Sequence, residues 1–78
     1  MENTEKLRIA FSEGIGIELK KVNDSLNYGS EGWDSVAHMK LIAAIEETFD
    51  IMLDTDDVID MSSFLKAKEI LAKYEITF

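Results

Sequence analysis

Between Gly32 and Ile51 the chain carries its longest unbroken helical pattern, GWDSVAHMKLIAAIEETFDI, and that stretch limits the folds open to only 78 residues. Apolar residues recur at Val36, Met39, Ile42 and Ala43, and again at Leu41, Ala44, Ile45 and Phe49, with a spacing near one helical turn. Asp34 is a good N-cap, so Ser35 and Val36 open the first turn. The result is an amphipathic helix with a hydroxyl at its positive end. Free backbone N–H groups and the helix dipole favour a negative group there by roughly 0.3–1 kcal/mol, so a phosphate ester on Ser35 is electrostatically welcome. A phosphate from a kinase would be equally welcome, so the pattern alone does not identify the modification.

The other elements are shorter. A first helix is expected from about Thr4 to Glu13, capped by Asn3 or Thr4, with Leu7, Ala10 and Phe11 as its apolar stripe and Gly14 at C′. Ile15, Ile17 and Leu19 alternate as a strand would, yet nothing else in the chain could pair with them, so extended chain or a last helical turn is expected. Lys20 to Trp33 form a long connection in which Leu26 and Trp33 plug the core while Gly29 and Gly32 let the backbone turn. After Phe49 the chain leaves the helix, and Asp54, Thr55 or Asp56 caps a short turn through Val58, Ile59 and Met61. Ser62 or Ser63 then caps a last helix to about Tyr74, with Phe64, Ala67, Ile70, Leu71 and Tyr74 on one face. The expected fold is all-α: a small irregular antiparallel four-helix bundle of three main helices and one short one, with a long loop between the first two, forming a single domain over residues 1–78.

Charge narrows the function. The net charge is −8; seven acids and no Lys or Arg lie between Glu46 and Asp60, against nine acids and eight bases elsewhere. Such a field repels nucleic acid and steers basic partners towards it. No run of about 20 apolar residues exists to insert into a bilayer, and the N-terminus lacks the order of a secretory signal, so a cytoplasmic monomer is expected. There is no cysteine, hence no disulfide and no thiol belonging to the chain.

Asp34-Ser35-Val36, the helix that follows with Glu46, Glu47, Phe49 and Asp50, and the acidic segment beyond resemble the attachment helix of acyl carrier proteins, whose usual motif is Asp-Ser-Leu. The resemblance runs from Asp34 to about Leu71. It implies 4'-phosphopantetheine, taken from coenzyme A and placed on Ser35 between Asp34 and Val36 by a phosphopantetheinyl transferase of the holo-ACP synthase type. It also implies a cargo carried as a thioester to acyl-loading and acyl-transferring enzymes with basic docking surfaces, with no catalysis by the carrier itself. By matching positions, Val36, Ala43, Glu46, Glu47 and Leu53 would form the partner face. Lys40 joins them but stands where the family commonly has an acid, and Ala37 stands where it often does, which favours a dedicated set of partners. Trp33 and a slightly longer loop near Gly29–Glu31 resemble specialised free-standing carriers. Fatty-acid or polyketide-like biosynthesis is implied, with an aminoacyl or peptidyl carrier of the same fold as the alternative.

Three other readings compete. Asp34, Ser35 and His38 are the residue types of a hydrolytic triad, but neighbours on one helical turn do not readily place a base, its orienting group and an oxyanion hole. Asp54–Asp60 is acidic enough to raise divalent-metal binding, yet counted from Asp54 the sixth position is Ile59 and the twelfth Leu65, where a calcium loop needs Gly and Glu. A non-carrier acidic helical interaction or metal-binding module, with Ser35 only a cap, is the remaining class. Met39, Met52 and Met61 could line an adaptable acyl pocket or simply fill the core.

Overall fold

A computed structural model describes all residues from Met1 to Phe78. Four helices follow in order: α1 (Asn3–Ile15), α2 (Ser35–Phe49), α3 (Thr55–Asp60) and α4 (Phe64–Ala72), with one 3-10 turn at Leu19–Lys21 in the long loop after α1. This is the all-α four-helix bundle expected from the sequence. Leu7, Ala10 and Phe11 of α1, Leu41, Ile42 and Ile45 of α2, and Phe64, Ala67, Ile70 and Leu71 of α4 converge on one core. The connections add Val22, Leu26, Trp33 and Met61, so the predicted plugs of the long loop are in place. From α3 only Asp57 is buried.

The start and end of α1 differ from the expectation. The helix runs on to Ile15, and Gly16, not Gly14, takes the left-handed C-cap position, with φ at 84° and its N–H donating to the Ser12 carbonyl. Gly14 is needed for a different reason. A Cβ built there would stand 2.5 Å from the Leu41 Cα, so the missing side chain lets the backbones of α1 and α2 touch. At the other end Asn3 is helical and caps nothing; its amide donates to the Thr77 carbonyl at 3.0 Å, and Glu2 occupies the N-cap without a side-chain bond.

Side-chain hydrogen bonds hold the long loop. Arg8 on α1 donates to the carbonyls of Val22 (3.1 Å) and Leu19 (2.9 Å), which clamps the 3-10 turn against the helix. Further on, Tyr28 N–H donates to Ser62 O and Phe64 N–H to Leu26 O, an isolated antiparallel bridge that joins the loop to the start of α4. Gly29 and Gly32 both have positive φ, 95° and 80°, in the turn that follows this bridge and leads to α2. Lys68 on α4 adds an ion pair to Asp24 while its ammonium sits 5.1 Å above the Phe64 ring.

Caps set the remaining boundaries. Asp34 accepts from Ala37 N–H at 2.9 Å and Ser63 accepts from Lys66 N–H at 2.9 Å, each closing the first turn of its helix. Helix α2 ends with Asp50 in the left-handed conformation, φ 54°, and α4 ends at Ala72, two residues short of the expected Tyr74.

Gly14→Ala should destabilise the protein by about 1–3 kcal/mol, because the clash is with backbone and the helices must part. Gly16→Ala meets no neighbour and carries only the cost of a left-handed residue. Urea denaturation of the two variants measures the difference; equal midpoints would show that the α1–α2 crossing does not depend on Gly14.

Candidate functional site

Ser35 is the first residue of α2, exposed, and its hydroxyl has no hydrogen-bond partner. Capping is already done by Asp34, whose carboxylate takes the Ala37 N–H while its carbonyl takes that of His38. The N–H groups of Ser35 and Val36 are left free, as the opening positions of a helix are. The other serines differ: Ser12 and Ser30 donate to the carbonyls of Ile17 and Asn27, and Ser63 is a cap. Ser25 and Ser62 have unpartnered hydroxyls, but neither opens a helix.

Beside Ser35 lies an apolar groove of about 400 Å³, lined also by Tyr28, His38, Met39, Val58, Ile59, Met61 and Ser62. Met39 and Met61 therefore line it, as one reading of the sequence had it; Met52 does not, and stands 85% exposed in the loop before α3. His38 closes the inner wall. Its Nδ1 accepts from the indole N–H of Trp33 at 3.0 Å, and its Nε2 faces the Val58 carbonyl at 2.7 Å. Indole nitrogen only donates and a carbonyl only accepts, so the ring is the neutral tautomer with the proton on Nε2. Both nitrogens are committed, which rules out His38 as a base for Ser35. Asp34, Ser35 and His38 thus do not make a triad.

The acidic segment divides on inspection. Asp57 is buried and held on two sides: Lys73 and the Tyr74 hydroxyl both donate to its carboxylate, the latter at 2.6 Å. Tyr74 also accepts from Asp54 N–H at 3.0 Å, so the residue expected to continue α4 instead anchors α3. Glu46 is half-buried and accepts from Leu53 N–H at 2.9 Å, shaping the turn after α2. Glu47, Asp50, Asp54, Asp56 and Asp60 stay exposed. No three His, Cys, Asp or Glu side chains converge as metal ligands would.

The model of the phosphopantetheine attachment site matches residues 5–66. The chain belongs to that family of carriers. An acyl carrier protein from Guillardia theta is 29% identical over 70 residues, which cover 88% of this chain and 86% of that protein. A non-reducing polyketide synthase, AC, from Didymella fabae is 31% identical over 64 residues, covering 82% of this chain and only 2% of the synthase. The covalent group of the family is 4'-phosphopantetheine, and a free hydroxyl at a helix N-terminus, next to an apolar groove, fits it. No helix of the carrier is long and apolar enough to cross a membrane.

The implied partner face is only partly an open surface. Val36 (65% exposed), Lys40, Ala43 and Glu47 lie open on α2, whereas Leu53 is half-buried against the core. Ala37 is buried and so is not part of that open surface. The sequence reading missed the roles of His38 and Asp57, since both depend on residues distant in the chain; the lone Trp, which needs an acceptor when buried, was the available signal for His38.

Hydrogen bonds from Lys73 and then Tyr74 hold the Asp57 carboxyl below the usual carboxylate range, against the opposing effect of burial. The same bonds raise Lys73 and Tyr74 above their ordinary values. A depressed folded value means that this stability is present above about pH 4 and is lost as pH falls through the lowered folded value. Asp57→Asn should therefore melt below the wild type at pH 7, with the gap closing as both are taken to lower pH. Parallel melting curves at every pH would exclude the carboxylate as the anchor of α3.

Proposed function

We propose that Ser35 is the attachment residue, and that residues 1–78 form one carrier unit that brings a biosynthetic intermediate to partner enzymes in fatty-acid or polyketide-like biosynthesis. The observation that carries this is the Ser35 hydroxyl, exposed and unpartnered at the mouth of a 15-residue helix whose cap is already supplied by Asp34. The bound arm would supply a terminal thiol, which this chain lacks, to hold the cargo as a thioester.

The chain's own residues have three tasks in this reading. Asp34 fixes the first turn of α2, which keeps Ser35 at the surface for a transferase. The free N–H groups of Ser35 and Val36 favour the phosphodiester. The open side of α2, with Val36, Lys40, Ala43 and Glu47, and the acids after it offer a mixed apolar and negative surface to enzymes with basic docking sites; Glu46 and Leu53 shape its edge. The protein works in the cytoplasm and catalyses nothing alone.

Incubation with coenzyme A and a phosphopantetheinyl transferase should add the mass of one arm, with none on Ser35→Ala. An unchanged wild-type mass, or equal modification of the variant, would sink the assignment. On the docking surface, Glu47→Lys should slow modification several-fold at low salt and Lys40→Glu should speed it, with both effects fading as salt is raised. Rates that ignore these charges would place recognition elsewhere.

A further inference from the structure

Two nested hydrogen bonds enclose Ser35, although its own side chain makes none. The inner one runs from Ala37 N–H to the Asp34 carboxylate at 2.9 Å. The outer one runs from the Trp33 indole N–H to His38 Nδ1 at 3.0 Å, with the two rings within 20° of parallel. Trp33 is 1% exposed, and its backbone is committed too: its N–H donates to the Ser30 carbonyl at 2.9 Å and its carbonyl accepts from Gly29 N–H at 2.8 Å. It directly precedes the cap, so a shift of the indole carries Asp34, and Ser35 after it.

His38 is the half of the outer bond that can change charge. Neutral, it accepts from Trp33 at Nδ1 and donates from Nε2 to the Val58 carbonyl at 2.7 Å. A second proton has only Nδ1 to go to, where it would meet the indole N–H with no acceptor between them. Few titratable groups face the ring. On α2 there is Asp34, one turn earlier, with its carboxylate on the Ala37 N–H. From the loop the Tyr28 ring packs edge to face, 5.8 Å away. From α3 come Val58 and Ile59 of the shared groove, while Asp57 bonds Lys73 and Tyr74; Met61 and Ser62 beyond it carry no charge.

We propose that His38 is a positioning residue for attachment: its neutral ring closes the outer bond and holds Ser35 for the transferase, and its protonation opens that bond and slows the transfer. This rests on attachment at Ser35. In that step the Ser35 oxygen forms a bond to the pantetheine-linked phosphorus of coenzyme A as the phosphoanhydride bond breaks. The hydroxyl proton passes to a base of the transferase, and adenosine 3',5'-bisphosphate leaves. His38 acts only through placement, since both its nitrogens are engaged. The bond belongs to the neutral ring, so its benefit is present at higher pH and is lost as pH falls through the imidazole titration.

The test measures kcat/KM for arm addition by intact mass, with coenzyme A and one transferase, from about pH 8 to about pH 5.5. Salt of about 0.5 M screens charges beyond about 4 Å, which separates placement from the bare charge of the ring. Each variant is divided by the wild type at the same pH, so the transferase's own profile and the titration of Asp57 cancel. At the upper pH His38→Ala should be slower by about three- to tenfold, the effect of one lost hydrogen bond, and the gap should close towards the lower pH. His38→Gln, whose carbonyl accepts from Trp33, whose amide donates to Val58 and which takes no charge in this range, should match the wild type at the upper pH and outpace it at the lower. The Trp33 indole N–H resonance should move together with the His38 ring protons. Ratios that stay constant across this range overturn the inference, as does His38→Ala as fast as the wild type at the upper pH or His38→Gln as slow as Ala. Where His38→Ala does not fold, the His38→Gln ratio decides alone. A wild type that gains no mass at any pH overturns the attachment reading and this inference with it; a wild type that gains the arm with constant ratios overturns this inference alone.

Discussion

A buried indole N–H has to find an acceptor, and the first turn of α2 and the position of α3 both depend on how Trp33 meets that demand. Unmet, the buried donor would cost about 1–3 kcal/mol. The acceptor is His38 Nδ1, five residues on, which fixes the imidazole tautomer and aims Nε2–H at the Val58 carbonyl. One indole thus orders three segments in sequence: the end of the long loop, the first turn of α2, and α3. Phe11 and Tyr28 meet the same ring edge to face, so α1 and the middle of the loop are fixed by it as well.

Helix α3 shows why polar contacts matter so much in a small bundle. It has six residues, too few to be stable alone, and it buries no apolar side chain fully. Its position comes from hydrogen bonds at two points: Val58 to His38 on one side, and Asp57 with Asp54 to Tyr74 and Lys73 on the other. A helix held in this way can form one wall of a groove without filling it. Were α3 anchored by large apolar residues, the space beside Ser35 would become core.

Local signals in the sequence were enough for most of the architecture. The cap at Asp34, the apolar stripe of α2 and the turn glycines at Gly29 and Gly32 act within a few residues of one another, so the one-dimensional pattern contains them. Gly14 was misplaced because a helix-ending glycine and a helix-crossing glycine look alike until the second helix is present; Leu41 lies 27 positions further along. Tyr74 misled in the same way, its apolar spacing fitting α4 while its hydroxyl serves α3. The exposed serine at the candidate site was legible from its motif. The committed nitrogens of His38 were not, since Val58 is 20 positions away. The acid count likewise overstated the outward field, as Asp57 faces Lys73 and Tyr74, and Glu46 is bonded to the turn that follows it.

The contact between Asn3 and Thr77 has a consequence for how such a unit can be used. Because the amide of one extremity of the fold holds the backbone of the other, the polypeptide arrives and departs at a single edge of the bundle. Stitched into a larger chain, the bundle would hang from that edge like a bead on a short loop of thread, its neighbours brought close together and its internal packing unstretched by either of them.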